Sequence, residues 1–321
     1  MLKIKLDDYF KRFKLYYIIV PLKFYQGENM RRKIIGMLVC TLLITIVAIP
    51  AIAINPYSKT NTQQISPDAE VPTWEVGDSW TYDTHIYVAA SPNVTDDMVV
   101  DAFGELTFEV VDDTGDNYIL EGTMKPLSGT VDIPGNTGFK ATKFTAYNAN
   151  LWMRKTDLAI VQYESTMKGI LLLTFRSIPL PIPIQMQEYR MTGFKPAWNI
   201  LPFPLFDGKT GDYLNSTLLS YWDTSMFWGL IPISKGISDH GWVGGASYNV
   251  KLDNITVEAG TYDVYNVSCI VDFGTDAHDW YFSNYAEEVG NIVKGDYNID
   301  YANGNTYYLI NLELISTTYT P

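Results

Sequence analysis

The sequence predicts a mainly β protein: a curved antiparallel sheet or open half-barrel in two related halves, with a few short helices and an N-terminal hydrophobic helix. Tyr and Trp are abundant while only 18% of the residues are charged, a composition that suits pleated, half-buried strands. Several segments alternate apolar with polar residues, and turns rich in Gly and Asn separate them. A chain of 321 residues is long enough for one large β domain or two moderate ones.

Residues 30–53, MRRKIIGMLVCTLLITIVAIPAIA, have the order of features of a secretory signal peptide. Three basic residues precede a long apolar run, and small residues follow Pro50. The alternative is an uncleaved membrane anchor, because the 21 residues from Ile34 to Ile54 carry no charge and are enough to span a bilayer. Both interpretations predict an extracytoplasmic protein, either secreted or tethered to the outer face of the cytoplasmic membrane.

A signal peptide should open the chain, so residues 1–29 are predicted to be an upstream mis-start segment and Met30 the true start. The alternative is that residues 10–25, which mix aromatic and basic side chains, form an interfacial amphipathic segment. After the leader, residues 54–72 are rich in Asn, Thr, Ser and Pro and are predicted to be a flexible linker. The folded part is predicted to comprise a first β half at 73–200 and a second at 201–321.

The predicted exported part is strongly acidic. Nine of the 23 basic residues and three of the 36 acidic residues precede residue 54, which leaves 14 basic against 33 acidic residues and a net charge of −19. Such a surface repels phosphate backbones, so nucleic acid is not an expected partner. The membrane is an expected partner only through the N-terminal segment, if that segment stays uncleaved.

Period-two alternation predicts the clearest strands. One face of the first strand carries Trp80, Tyr82, Ile86 and Val88, and the next strand carries Leu106, Phe108 and Val110. Near the C-terminus Tyr308, Ile310, Leu312 and Leu314 alternate with more polar neighbours. Turn signals at 113–116, 134–136, 259–260 and 303–305 predict short hairpins, and hence an antiparallel sheet.

Two segments interrupt this pattern. Alternate prolines in Ile178–Ile184 cannot donate to a strand ladder, so this segment is predicted to be an edge or an extended loop. Apolar residues at near-helical spacing in Tyr213–Leu230 predict a short helix over the sheet. Both are interpreted as core cover, with a movable flap over a ligand cavity as the alternative.

Specific motifs mark the start of each half and several turns. Residues 74–80 (WEVGDSW) open the first half, and residues 203–209 (FPLFDGK) open the second in a weakly similar way. Two further motifs follow at 257–265 (VEAGTYDVY) and 288–294 (EVGNIVK), with Trp280 between them. The motif residues singled out as structural are Trp74, Gly77, Trp80, Gly260, Tyr262, Trp280 and Gly290.

These motifs resemble a pattern found in exported archaeal and bacterial domains of unknown function. Those domains are similar to the periplasmic lipoprotein-carrier superfamily, and the resemblance covers residues 203–318 well and 74–195 loosely. It implies an antiparallel sheet curled into an open half-barrel, with helices over the concave face. The shared residues form turns and fill the sheet, so the resemblance transfers no ligand-contacting residue.

No catalytic or cofactor motif is present in the sequence. It has no HExxH, P-loop, GxSxG or GxGxxG pattern in a suitable context, and its three histidines lie far apart. No catalytic, cofactor-binding or metal-binding residue is therefore predicted, and the protein is expected not to be an enzyme. We expect a binding protein for a lipid or other apolar ligand or, as the alternative, a structural or protein-interaction module of the cell envelope.

Four sequons provide candidate glycosylation sites if the host glycosylates exported chains. They begin at Asn93, Asn215, Asn254 and Asn266. Asn93 and Asn215 lie in loop-like sequence, whereas Asn266 lies within a predicted strand.

Overall fold

The computed structural model describes residues 68–90, 98–125, 128–132, 139–175, 178–213, 216–226, 230–238, 242–243, 247–272, 278–300 and 306–321. The predicted mis-start segment, the leader and most of the linker lie outside these residues. The described residues form strands and no helix. The prediction of a mainly β, antiparallel protein is thus confirmed. Within the described part of the chain, no helix is long and apolar enough to cross a bilayer.

Sixteen strands follow one another along the described part of the chain. They are β1 (Ser79–Ala90), β2 (Met98–Asp113), β3 (Asn117–Met124), β4 (Ser128–Asp132), β5 (Phe139–Arg154), β6 (Ile160–Phe175), β7 (Ile178–Trp198), β8 (Thr210–Asp212), β9 (Ser216–Met226), β10 (Ile231–Ser238), β11 (Trp242–Val243), β12 (Ser247–Val257), β13 (Gly260–Asp272), β14 (His278–Ala286), β15 (Asn291–Asp300) and β16 (Thr306–Thr317).

All sixteen strands belong to one sheet with the order β10-β9-β7-β6-β5-β3-β2-β1-β16-β15-β14-β13-β12-β8. Off this path, β4 pairs with β2 and β5, and β11 pairs with β9. Every pairing in the ladder is antiparallel, and β1 joins the two halves of the order because it pairs with both β2 and β16. The chain therefore meanders outward from β1 to one edge and returns from the other edge to β16.

The two edges of this sheet must lie near each other, because the chain passes directly between them. Only three residues separate Asp212, at the end of β8, from Ser216, at the start of β9, and three separate β11 from β12. An extended chain covers at most about 3.6 Å per residue, so each link spans no more than about 14 Å. A flat sheet of this order would be about 60 Å wide at roughly 4.8 Å per strand. The sheet therefore curls, and among the described residues no strand pair joins its two edges.

The predicted alternation places the expected side chains in the core. Trp80, Tyr82 and Ile86 on β1 are at most 3% exposed. Leu106 and Val110 on β2 are buried in the same way, as are Ile310, Leu312 and Leu314 on β16. The hairpin signal at 113–116 is confirmed, since Thr114 N donates to Asn117 O at 3.0 Å between β2 and β3.

The prediction of a helix over Tyr213–Leu230 is wrong. Its described core, Ser216–Met226, is β9, which pairs with β7 on one side and with β10 and β11 on the other. The apolar residues Leu214, Leu218 and Trp222 are four apart. A spacing of four fits one face of a helix, but it is also a multiple of the strand period of two, so it could not separate the two structures.

The proline-rich segment Ile178–Ile184 pairs with β6 alone among the described residues, which is compatible with the edge that was one of its two predicted alternatives. It forms the first third of β7, and its described pairs are all with β6, for example Pro179 with Thr174 and Pro183 with Leu172. The pairing of β7 with β9 begins only at Met186. A proline can occupy this position because its missing N–H is not needed on an unpaired side.

Candidate functional site

A group of buried polar side chains lies on one face of β5, β6, β7 and β9. At its centre Arg190 Nη2 approaches Glu188 Oε1 at 3.3 Å, and the two side chains are only 1% and 2% exposed. Thr224 on β9 donates through its hydroxyl to the second carboxylate oxygen, Glu188 Oε2, at 3.2 Å. We call this group the Arg190 cluster; its members are Tyr147, Tyr163, Ser165, Glu188, Arg190, Thr192, Ser220 and Thr224.

Two further hydrogen-bonded pairs complete the Arg190 cluster. The hydroxyls of Tyr147 and Tyr163 lie 3.1 Å apart, and those of Thr192 and Ser220 lie 3.0 Å apart. Burial raises the pKa of Tyr163 to about 12 and holds the pKa of Tyr147 well above its ordinary value. Both phenols therefore stay protonated at neutral pH and act as hydrogen-bond donors and acceptors.

The strand register brings these residues together. Glu188, Arg190 and Thr192 alternate along β7 and so project from the same face, together with the buried Ile184 and Phe194. Across the ladder Thr224 lies opposite Glu188, Ser220 lies opposite Thr192, and Ser165 lies opposite Arg190. The cluster is thus set into the apolar inner face rather than into the outer face of the sheet.

Arg190 is incompletely satisfied. Its Nε atom is buried and has no hydrogen-bond partner, and the 3.3 Å contact of Nη2 with Glu188 is longer than the usual 2.7–2.9 Å of a charge-assisted bond. A buried guanidinium N–H without a partner costs about 1–3 kcal/mol or more. Such a group calls for an explanation, because the great majority of buried polar atoms in proteins are paired.

Arg190 has a small neighbour on one side of its row in the sheet and a bulky one on the other, because Trp222 lies opposite it on β9. The residue directly opposite on β6 is Ser165, which pairs in turn with Ala149 on β5, and Ala149 pairs with Gly122 on β3. Beyond β6 the next bulky side chain of this row is Phe108, whose ring covers Gly122, and on the β9 side the ring of Trp222 covers Gly236. The neighbours of the Arg190 guanidinium along this row are therefore small on the β6 side and aromatic on the β9 side.

A second buried cluster contains the tryptophans of the sequence motif at 74–80. Trp74 Nε1 donates to Gly290 O at 2.9 Å, and Trp80 Nε1 donates to Val289 O at 2.8 Å. The Tyr118 hydroxyl accepts from Trp74 N at 3.0 Å, and the two indole rings lie 4.9 Å apart. The motif at 74–80 therefore binds the turn of the motif at 288–294, although more than 200 residues separate them.

Gly290 is required in this tryptophan cluster for two reasons. Its φ angle of +64° lies in the left-handed region that other residues rarely adopt. A Cβ atom at this position would also lie 2.5 Å from the ring of Tyr319. The glycine of the VGNIVK motif thus serves packing and backbone geometry.

The remaining motif residues lie in turns or strands. Gly77 N donates to Val110 O at 2.8 Å in the turn before β1. Gly260 begins β13 after the turn from β12, and the Tyr262 hydroxyl donates to Ala259 O at 3.1 Å across that turn. Trp280 lies on β14, paired with Ile270 and Asn298.

The candidate glycosylation sites differ in environment. Asn93 and Asn215 lie outside the described residues. Asn254 is exposed on β12, where its side-chain amide donates to Asp263 Oδ1 at 2.8 Å. Asn266 is half-buried on β13 and donates to Asn284 Oδ1 at 2.8 Å, so a glycan there would have to break a cross-strand bond.

One carboxyl on the opposite face of the sheet also lacks a partner. Asp296 Oδ2 on β15 is buried without a hydrogen bond, and burial raises the pKa of Asp296 to about 6. Lys294, two residues earlier on the same face, bonds instead to Glu313 at 2.9 Å. No group of three or more potential metal ligands occurs among the residues that the structure describes.

Comparison with protein-family models, with curated proteins and with solved structures finds no match. No relative supplies a function for the Arg190 cluster, and the resemblance of the motifs to lipoprotein-carrier-like domains stays a prediction. Sequence reasoning missed the Arg190 cluster altogether. The signal that could have found it is the position of Glu188 and Arg190 on the same strand face as Ile184, Thr192 and Phe194.

Proposed function

We propose that the protein is an extracytoplasmic, non-enzymatic binding protein, in which a half-barrel holds a ligand that is wholly or partly apolar against its inner face. The observation that carries the proposal is the unpartnered N–H of Arg190, which lies on the same buried sheet face as several hydroxyl-bearing and apolar side chains. Ligand sites in proteins commonly have this composition, with apolar walls and a few fixed polar groups.

The apolar surroundings of the Arg190 cluster support the apolar part of the ligand. Ile184 and Phe194 lie on its two sides along β7, and Met167 lies opposite Glu188 on β6. These three side chains are at most 8% exposed. The cluster therefore provides polar anchoring to a ligand whose remaining surface is buried by apolar contacts.

We propose a non-enzymatic role because of the side chains that make up the Arg190 cluster. The Arg190 cluster offers one carboxylate, already bonded to Thr224 and in contact with Arg190, and hydroxyls that are paired with each other. A nucleophile needs a base within hydrogen-bond distance. Among the described members of the cluster Glu188 is the one candidate base, and its charge faces Arg190, which disfavours proton abstraction; no histidine or lysine lies among these members.

A second candidate is a structural or protein-interaction module of the cell envelope. It is favoured by the tryptophan cluster, where the protein's own side chains and the turn at 286–291 fill the inner side of the sheet. A sheet that is filled throughout would leave its acidic outer surface as the functional part.

Native mass spectrometry of the protein purified from its own host, followed by organic extraction, tests the proposal. We expect a stoichiometric bound ligand with an apolar portion. A bare protein mass from wild-type material would contradict the binding role and favour the envelope module. The Glu188→Leu/Arg190→Met double variant is the matched control, since it should fold and lose the ligand.

A further inference from the structure

The charges around the Arg190 cluster limit what its ligand can be. Of the acidic and basic residues that the structure describes, the fully buried ones are Glu188 and Arg190, whose charges cancel. The side chains that face the pair from β6 and β9 are neutral: Tyr163, Ser165, Met167, Ser220, Trp222 and Thr224.

An anionic ligand group would upset this balance. It would bring a second negative charge beside Glu188, and desolvating an uncompensated charge in a protein interior costs several kcal/mol. A cationic group would meet the same difficulty beside Arg190. A neutral oxygen has no such cost, and a hydroxyl or ether oxygen can accept the hydrogen bond that Arg190 Nε lacks.

The hydroxyls of the Arg190 cluster also favour a neutral ligand group that carries hydroxyl or ether oxygens. Each Ser or Thr hydroxyl can donate once and accept twice. The Thr192–Ser220 pair uses one donor and one acceptor between its members, which leaves capacity to donate to or accept from ligand hydroxyls. Arg190, in the adjacent row of the sheet, would supply one charged donor beside these hydroxyls.

We propose that the Arg190 cluster binds a neutral, polyhydroxylated group, such as the sugar or polyol headgroup of a lipid, through Arg190 Nε and the Thr192–Ser220 hydroxyls. This inference rests on the proposed binding function and adds the chemistry of the polar part of the ligand. It excludes phosphate and carboxylate headgroups as the preferred ligands of this site.

Calorimetric titration of the full chain tests the inference with three named probes. Octyl β-glucoside below its micelle concentration carries the neutral headgroup, octyl phosphate carries the anionic one on the same tail, and glucose lacks the tail. We expect octyl β-glucoside to bind at least about tenfold more tightly than octyl phosphate. Equal or tighter binding of octyl phosphate would overturn the inference.

Two variants connect the binding to the cluster. Arg190→Lys keeps the charge opposite Glu188 but removes the Nε donor, and Ser220→Ala removes one hydroxyl without touching the ion pair. We expect Arg190→Lys to weaken glucoside binding at least about tenfold, and Ser220→Ala to weaken it less. The matched control Arg154→Lys changes an exposed arginine that bonds to Asp157, and its affinity should equal that of the wild type.

The remaining outcomes separate this inference from the proposed function. Unchanged affinity in both Arg190→Lys and Ser220→Ala would overturn the inference, with near-ultraviolet circular dichroism verifying that both variants are folded. A native ligand with a phosphate or carboxylate headgroup would overturn the inference and leave the binding function standing. Binding of glucose as tight as that of octyl β-glucoside would support a neutral polyol but contradict the apolar part of the proposed function.

Discussion

The tryptophan cluster and the Arg190 cluster are both buried in the sheet, but they differ in whether their N–H donors have hydrogen-bond partners. In the tryptophan cluster both indole N–H groups reach backbone carbonyls at 2.8–2.9 Å. In the Arg190 cluster the Nε donor has no partner, and the contact between the charges is long. Buried polar atoms in proteins are mostly paired, so the unpartnered Arg190 Nε supports the proposal that a ligand binds at the Arg190 cluster.

The largest effect should come from removing one member of the ion pair. Arg190→Met leaves Glu188 as an uncompensated buried charge and should lower the free energy of unfolding by about 3–5 kcal/mol. Replacing both charges in Glu188→Leu/Arg190→Met should be close to neutral or stabilising, because the pair is not needed for packing. Urea denaturation of the two variants measures both effects. A double variant as unstable as the single one would mean that the pair is structural.

Gly290→Ala probes the tryptophan cluster and should have the next largest effect. The left-handed φ of +64° and a Cβ lying 2.5 Å from the Tyr319 ring should together cost about 2–4 kcal/mol. The control is Gly115→Ala, at φ +87° with open space around its Cβ position. Thermal or urea unfolding measures both variants. If the free energy of unfolding falls equally in the two, the contact with Tyr319 does not contribute to the cost of Gly290→Ala.

Trp80→Phe should cost less, since most of the apolar contact remains. It leaves Val289 O without its buried donor, a loss of about 1–3 kcal/mol. The control Val76→Ala changes a side chain that is 60% exposed and should alter stability by no more than about 0.5 kcal/mol. If Trp80→Phe unfolds at the same urea concentration as the wild type, the satisfied donors of this cluster are not what stabilises it.

The smallest effect concerns Asp296, whose Oδ2 atom on the other face of the sheet is buried without a hydrogen-bond partner. Its pKa of about 6 in the folded protein lies above the ordinary value of 3.8 because of burial. The folded state therefore binds the proton more tightly, and this group's contribution to stability falls as pH rises from about 4 to about 6. Asp296→Asn should remove that fall. Urea midpoints at pH 4 and pH 8 that shift equally in wild type and variant would contradict this.

Sequence patterns predicted the β class and the core faces of β1, β2 and β16, because strand alternation is a local property. They failed at β9, where Leu214, Leu218 and Trp222 fit helix and strand alike. They also missed the Arg190 cluster. The alternation of Glu188, Arg190 and Thr192 along β7 is visible in the sequence, but whether that face is buried depends on the register of β7 with β6 and β9. Long-range register is not encoded in any one segment.

The pairing of β1 with β16 has a consequence for how the protein reaches its fold. Ser79 N donates to Thr318 Oγ1 at 2.9 Å, and Thr318 N donates to Ser79 O at 3.0 Å, across 239 residues of chain. Strand β1 is synthesised long before β16, so the ladder between them can form only after β16 has been made. Contacts between residues so distant in sequence make folding slow. During synthesis the ladder between β1 and β16 cannot form until residue 318 has left the ribosome, so β1 must avoid aggregation while that side of it is unpaired.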